Sequence, residues 1–274
     1  MAAVDWAAYC EVARRAAEAG AERLLEWAGR FSVREKSRAN LVTEADFASQ
    51  KAIAEVLLRH FPGHALYGEE GLRAGPEHAE FRWLIDPLDG TSNYVHGFPY
   101  YAVSIGLEYR GRLVLGVVLD PNRGETFWGW TDGGAWCNGR RIRTSDHDAL
   151  KQALVVASLP VGVDATHYAV RRFLAVFPRA QALQRTGSAA LNLVGVAAGR
   201  IDAFFSSSLK PWDMAAGVVI VREAGGRVTR QDGGEFDVYR SDLLASNGTR
   251  LHQELVEVLS SVPAEAASDG GAAR

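Results

Sequence analysis

Three apolar runs between residues 82 and 130 constrain the fold of this chain more than any other feature. Trp83-Leu84-Ile85, Tyr101 to Leu107 and Leu113 to Leu119 are short and separated by glycine-containing turns, the pattern of β-strands. Glu125 to Trp130 adds a fourth candidate. After residue 150 strand candidates at 153–158 and 202–206 alternate with helix candidates near 166–176, 187–199 and 213–224, the last closed by Gly225-Gly226. Toward the N-terminus, Trp6, Cys10, Ala13, Ala17, Leu24 and Ala28 recur at helical spacing within residues 3–29. A second helix is predicted over 44–60, starting after Thr43, turning Phe47, Ala48, Ala52, Val56 and Leu57 inward, and stopped by Pro62-Gly63. Residues 30–42 between the two helices read as an exposed, mobile connection. Elements mixed in this order predict a layered α/β (α+β) architecture.

The 274 residues are enough to bury a large core, as one extended α/β unit or two closely packed lobes. With 47% hydrophobic and 23% charged residues, disorder is expected only at the ends, including a frayed tail at 263–274. A net charge of −3 and a pI near 6.2 argue against broad nucleic-acid binding, which needs clustered Lys and Arg. Cys10 and Cys137 are too few for a disulfide framework or a cysteine zinc site. The N-terminus lacks the basic start and apolar centre of a signal peptide, and no apolar run approaches the ~18 residues of a membrane span. A cytoplasmic protein is therefore expected.

The first apolar run ends in Asp86-Pro87-Leu88-Asp89, and a turn at Pro87 is predicted to aim both carboxylates at one spot. Converging carboxylate and carbonyl oxygens are the ligands that hard cations such as Mg2+ prefer. Gly90-Thr91-Ser92-Asn93 then offers a helix start, whose N–H groups face an anion. Upstream, Tyr67-Gly68-Glu69-Glu70-Gly71 contributes further acids, although alone it reads as a solvated turn. Lys210-Pro211-Trp212-Asp213 places an aspartate in the first turn of a helix, where a contact with the helix dipole also explains it. His96, His147, His167 and His252 lack metal-ligand spacing.

Together these motifs resemble the inositol monophosphatase-like phosphatases, a Mg2+-dependent, lithium-sensitive superfamily that includes fructose bisphosphatases. The resemblance rests on Gly68-Glu69-Glu70, Asp86 through His96, Gly187-Ser188-Ala189-Ala190, and Trp212 through Gly226, and spans about residues 5–260. It implies an αβαβα sandwich, with an N-terminal α+β lobe over 1–145 carrying most metal ligands and a C-terminal α/β lobe over 146–262 carrying Asp213. It further implies that Glu69, Asp86 and the Leu88 carbonyl hold one Mg2+, and that Asp86, Asp89 and Asp213 hold a second. Glu69 would also help to hold a third, weaker ion and so take part in catalysis. Paired metals activate an attacking water and neutralise phosphoryl charge. Thr91 and Asp46 would take the proton from that water, although an acid three residues after Thr43 is also a helix-start partner. The resemblance assigns the phosphate to the Gly90 and Thr91 N–H groups, and the alcohol to a space lined by Asp89, Gly187, Ser188, Ala189 and Asp213. A small phosphorylated metabolite as substrate, a homodimer, and no membrane or nucleic-acid partner are expected.

Inositol-selective members carry a glutamate seven residues before the aspartate that matches Asp213, and here that position is Ser206. Inositol monophosphate therefore stands beside other sugar or polyol phosphates, fructose 1,6-bisphosphate, histidinol phosphate and adenosine 3′,5′-bisphosphate as a candidate. A non-enzymatic regulatory protein would be expected to have lost some ligands, whereas Glu69, Asp86, Asp89, Thr91 and Asp213 are all present. A two-metal nuclease would need a basic track that the composition does not supply.

Overall fold

The structure, a computed structural model, describes residues 4–37 and 40–263, so nearly all of the predicted tail lies outside the described residues. In chain order the elements are α1 (Trp6–Trp27), β1 (Val33–Ser37), β2 (Asn40–Thr43), α2 (Glu44–His60), β3 (Ala65–Gly68), β4 (Arg73–Ala74), β5 (Phe81–Asp89), α3 (Thr91–Val95), β6 (Ala102–Tyr109) and β7 (Arg112–Asp120). There follow β8 (Glu125–Trp130), β9 (Gly134–Cys137), β10 (Arg140–Arg141), β11 (Leu154–Ser158), α4 (Tyr168–Val176), β12 (Ala182–Gln184), α5 (Ala189–Ala197) and β13 (Ala203–Ser206). The chain ends in α6 (Pro211–Glu223), β14 (Arg227–Thr229), β15 (Leu243–Ser246) and α7 (Leu251–Ser260).

Neighbouring residues on the central strands face different cores, and this alternation builds the layers. In β5, Trp83 and Ile85 pack with α1 and α2 residues such as Leu24, Ile53 and Leu57, whereas Leu84 packs with Leu193 and Val218 of α5 and α6. In β13, Phe204 joins that same middle core, while Phe205 faces Val176 of α4 and Leu255 of α7. Covered on both faces, these strands are apolar throughout their middles, Trp83-Leu84-Ile85 and Ala203-Phe204-Phe205. The eight-stranded sheet runs β10-β9-β8-β7-β6-β5-β3-β4 and the five-stranded sheet β12-β11-β13-β15-β14. Helices α5 and α6 lie between the two sheets, with α1 and α2 outside one and α4 and α7 outside the other, which gives the expected αβαβα sandwich.

The depth at which α6 sits is set by two glycines paired across β6 and β7. Gly106 opposes Gly116; a Cβ on Gly106 would stand 2.5 Å from Ala215 Cβ, and one on Gly116 would stand 2.2 Å from the Ala216 carbonyl oxygen. Only bare backbone lets the helix approach this closely. Pro211 starts α6 with a pre-set φ, and the Ser104 hydroxyl donates to the Trp212 carbonyl at 3.2 Å, tying that start to β6.

Three local expectations are corrected. Residues 33–37 and 40–43 are not an open connection: they pair as an antiparallel hairpin with Val33 opposite Thr43. The buried face of α2 is Ala45, Asp46, Ser49, Gln50, Ile53 and Leu57, while Phe47 is 49% exposed, so the predicted face is rotated. The segment Asp86 to Asp89 is not a turn but a bulged continuation of β5. Asp86 opposes Ser104 and Asp89 opposes Ala102, so the bulged strand carries one more residue than its partner. Residues three apart on a regular strand face opposite sides, and the extra residue returns both aspartates to one side. Pro87, which has no N–H to pair, occupies a position that a bulge tolerates.

Candidate active site

The bulge of β5 buries two acids side by side, with Asp86 1% and Asp89 8% exposed. Asp86 Oδ1 accepts from the Leu88 N–H at 3.0 Å. Burial, followed by the charges of Glu69, Asp89 and Asp213, pushes the Asp86 carboxyl well above the usual carboxylate range. Asp89 lies at the start of α5, where it accepts from the Ser188 hydroxyl, from Ala189 N at 3.2 Å and from Ala190 N at 2.8 Å. Burial raises its carboxyl to about 6, and these three donors work in the opposite direction.

Asp213 enters from the first turn of α6, where its Oδ2 accepts from Lys210 N at 2.7 Å. The helix-start role is therefore present, but it is not the whole environment. Removal from water and the charge of Asp89 also raise Asp213 well above its usual range, and a side-chain hydrogen bond joins it to Asp86. The Asp213 residue is half-buried at the surface of the protein. Glu69 follows β3 directly and is held by its N–H, which donates to Ile85 O at 3.2 Å.

Thr91 opens α3 directly after the bulge. Its hydroxyl lies 3.1 Å from the Leu88 carbonyl oxygen and 3.3 Å from Asp46 Oδ1. The other Asp46 oxygen accepts from Thr43 N at 2.8 Å and Thr43 Oγ1 at 2.7 Å, closing the capping box of α2. Gly90 precedes α3 at a φ of +98°, and Gly187 precedes Ser188, the N-cap of α5. Glu69, Asp86, Asp89 and Asp213 are thus electrostatic neighbours, with Thr91 and Asp46 beside the bulge and the 187–189 segment bound to Asp89.

Sequence reasoning passed over the supports of this cluster. Ser49 donates to Pro87 O at 2.9 Å, and the Gln50 amide meets the backbone of Glu70 on both sides, at 3.2 Å and 3.4 Å. With Asp46 they form one stripe of α2 at helical spacing. The signal was legible as polar residues at positions 46, 49 and 50, but apolar neighbours were assigned the buried face instead.

The donors fit a hard divalent cation. They are carboxylates and a peptide carbonyl; burial and then mutual repulsion raise Asp86 and Asp213, and a bound cation would relieve the repulsion. Among the described residues no group of three or more His, Cys, Asp or Glu side chains is already arranged to hold a metal ion. A groove of about 1160 Å3 lies elsewhere, between the β6–β7 turn, the end of α6 and residues 230–240. Of its five arginines, Arg110, Arg230 and Arg240 pair with Glu80, Asp232 and Asp237, and Glu69, Asp86, Asp89 and Asp213 lie outside its lining.

Comparison with known proteins agrees with this geometry. The model of the Inositol monophosphatase family matches residues 5–264. The chain is 40% identical over 262 residues to Inositol-1-monophosphatase of Synechocystis sp., covering 94% of this chain and 91% of that protein. It is 40% identical over 244 residues to the Nus factor SuhB of Pseudomonas aeruginosa, covering 86% and 90%. The crystal structure of the extragenic suppressor protein suhB from Bartonella henselae superposes with a TM-score of 0.88 at 34% identity, over 92% of this chain and 98% of that one. The bulged Asp86-Asp89 strand, the Asp213 helix start and a match over nearly the whole chain lead to one conclusion: this protein belongs to the inositol monophosphatase family and is a phosphoric monoester hydrolase.

Proposed function

We propose that the protein hydrolyses a small phosphate monoester, an inositol monophosphate or another sugar or polyol phosphate, by direct attack of water with Mg2+ bound. The observation that carries this reading is the placement of the Thr91 hydroxyl, 3.3 Å from Asp46 Oδ1, beside a buried set of mutually repelling acids. Two Mg2+ ions, with a third weaker one at Glu69, would supply the positive charge that activates water and screens the phosphate. Glu69, Asp86, Asp89, Asp213 and the Leu88 carbonyl would hold them. Thr91 accepts the proton of the attacking water as its own hydroxyl proton passes to Asp46. Asp46 is suited to that task because its second oxygen, engaged by Thr43, fixes the direction of the first. The N–H groups of Gly90 and Thr91 face the phosphate, and Gly187, Ser188 and Ala189 bound the space for the alcohol.

Ser206 supports a leaving group other than inositol. It ends β13, is 1% exposed, and its Oγ lies 3.4 Å from Ser208 N, so a short neutral side chain stands where an inositol-selective acid would stand. Release of inorganic phosphate from a panel of inositol, sugar, histidinol and nucleotide phosphates tests the reading. Turnover of at least one sugar or polyol monophosphate is expected, and selective cleavage of a nucleoside bisphosphate would replace the substrate class. We also propose a cytoplasmic homodimer, for which light scattering at twice the 29.7 kDa chain mass is the expected result.

A further inference from the structure

Asn93 belongs to the Asp86 motif, yet the chemistry above gives it no task. Its side-chain amide uses both hydrogens on carbonyls from separate parts of the chain, donating to Tyr100 O at 2.7 Å and to Thr186 O at 2.9 Å. The hydroxyls of those same two residues meet on one oxygen: Tyr100 OH donates to Asn192 Oδ1 at 3.0 Å and Thr186 Oγ1 donates to it at 2.6 Å. Asn93, Tyr100, Asn192 and Thr186 therefore form a closed ring. Asn192 is fully buried in α5, and its N–H donates to Ser188 O at 3.2 Å, so the ring is tied to the first turn of that helix. The same turn supplies all three donors to Asp89. Gly187, inside the ring, has a φ of +92°, and a Cβ there would stand 2.9 Å from Asn93 Nδ2. The amide is thus packed against the loop as well as bonded to it.

We propose that Asn93 is a positioning residue: through this ring it fixes the start of α5 against β5, so that Ser188, Ala189 and Ala190 hold Asp89 in one orientation toward Asp86 and Asp213. Its consequence for turnover rests on the functional reading above. Helix α5 and strand β5 belong to different layers and share no strand register, so their offset is set by the core that Leu84 and Leu193 share and by this ring. A carboxylate that binds a cation works only when oriented, and loss of an outer partner lowers metal affinity or activity about 10- to 100-fold.

The test compares Asn93→Ala, Ser188→Ala and the double variant with wild type. Mg2+ binding is measured by calorimetry without substrate, kcat/KM by phosphate release, and folding by thermal unfolding. Asn93→Ala is expected to weaken Mg2+ binding and kcat/KM each by about 10-fold or more. Added to Ser188→Ala, it should change Mg2+ affinity by less than about threefold, because both act through the same turn. A folded Asn93→Ala within about twofold of wild type in Mg2+ affinity overturns the proposal, as do effects that multiply independently. If Asn93→Ala does not fold, Asn93→Ser, which keeps one donor, is read against the same thresholds. The calorimetric measurement needs no turnover. A wild type that binds Mg2+ without hydrolysing any monoester contradicts the functional reading, while the ring is still judged on affinity; a wild type that binds no Mg2+ overturns both.

Discussion

Asp46 divides its two carboxylate oxygens between two tasks, Oδ2 capping α2 through Thr43 and Oδ1 facing the Thr91 hydroxyl at 3.3 Å. Helix-start partner and catalytic partner look like competing explanations of this residue, and the geometry accommodates both. The Thr91 hydroxyl has one proton and two acceptors, Asp46 and the Leu88 carbonyl. Only when it donates to Asp46 does it present a lone pair to water with a route for its own proton.

Asp46→Asn keeps the size of the side chain and removes the charge that drives this transfer. It is expected to lower kcat by about 100-fold, within the range for loss of general acid–base catalysis. Stability should fall by no more than about 1 kcal/mol, the usual scale of a cap. Thr91→Val should give a similar loss of kcat. Steady-state kinetics and urea unfolding of both variants check this, and near-wild-type kcat in Asp46→Asn would leave the residue a cap alone.

Asp213→Asn separates the two readings of the α6 aspartate. An asparagine oxygen still accepts from Lys210 N, so the helix start survives. The variant removes one of the charges that raise Asp86, and kcat/KM should fall at least about 100-fold. In chelator its Tm should equal or exceed that of wild type, because one of the mutually repelling charges is gone. Near-wild-type turnover at saturating Mg2+ would reduce Asp213 to its helix-start role.

Two buried histidines make the fold sensitive to acid. His64 is lowered to about 4 by burial, and His252 is lowered to about 4 by burial and by the charge of Arg227. Geometry agrees for His64: Trp83 Nε1, which can only donate, points at its Nδ1 at 3.1 Å, so that nitrogen carries no proton. The unfolded chain titrates near the ordinary histidine value of about 6.5 and binds protons more readily than the folded one. Stability is therefore complete above about pH 6.5 and is lost progressively toward pH 4. His64→Phe should be less stable at pH 7, since Trp83 loses its acceptor, yet show a shallower decline in urea unfolding between pH 7 and pH 5. An unchanged slope would contradict this assignment.

Ser206→Glu tests the proposed role of position 206 in selecting the alcohol. A carboxylate there would accept charge-assisted hydrogen bonds worth roughly 1.5–3 kcal/mol, or about 10- to 150-fold in discrimination. The ratio of kcat/KM for inositol 1-phosphate to that for the native favourite should rise. The ratio is the informative quantity, because a general loss of activity from the substitution cancels in it. A wild type that already prefers inositol 1-phosphate, with a ratio unmoved by the substitution, would show that position 206 does not set specificity.

A layered α/β architecture was legible because the pattern of the central strands is enforced by burial on both faces, Trp83, Leu84 and Ile85 each having a core to enter, whereas the order of the five layers came from the family resemblance. The 33–43 hairpin was not, since Val33, Arg34 and Glu35 are exposed and leave no apolar alternation to read. The face of α2 was misjudged because its buried side is polar for the sake of the site. Asp46, Ser49 and Gln50 point inward to bond Thr91, Pro87 and Glu70, and Phe47 is displaced to solvent. The acids could be named from their motifs. The bulge that aligns Asp86 with Asp89, and the ring around Asn93, depend on partners far away in sequence and required coordinates.

The central claim is that the buried acids form a catalytic centre only with a divalent cation. The most direct measurement is phosphate release by wild type and Asp86→Asn from one accepted monoester, at saturating Mg2+ and in excess chelator. Wild type should turn over with Mg2+ and stop in chelator, with activity restored by added Mg2+ and suppressed by millimolar lithium. At saturating Mg2+, Asp86→Asn should be at least about 100-fold less active than wild type. Undiminished hydrolysis in chelator, or an Asp86→Asn chain as active as wild type, would contradict the account.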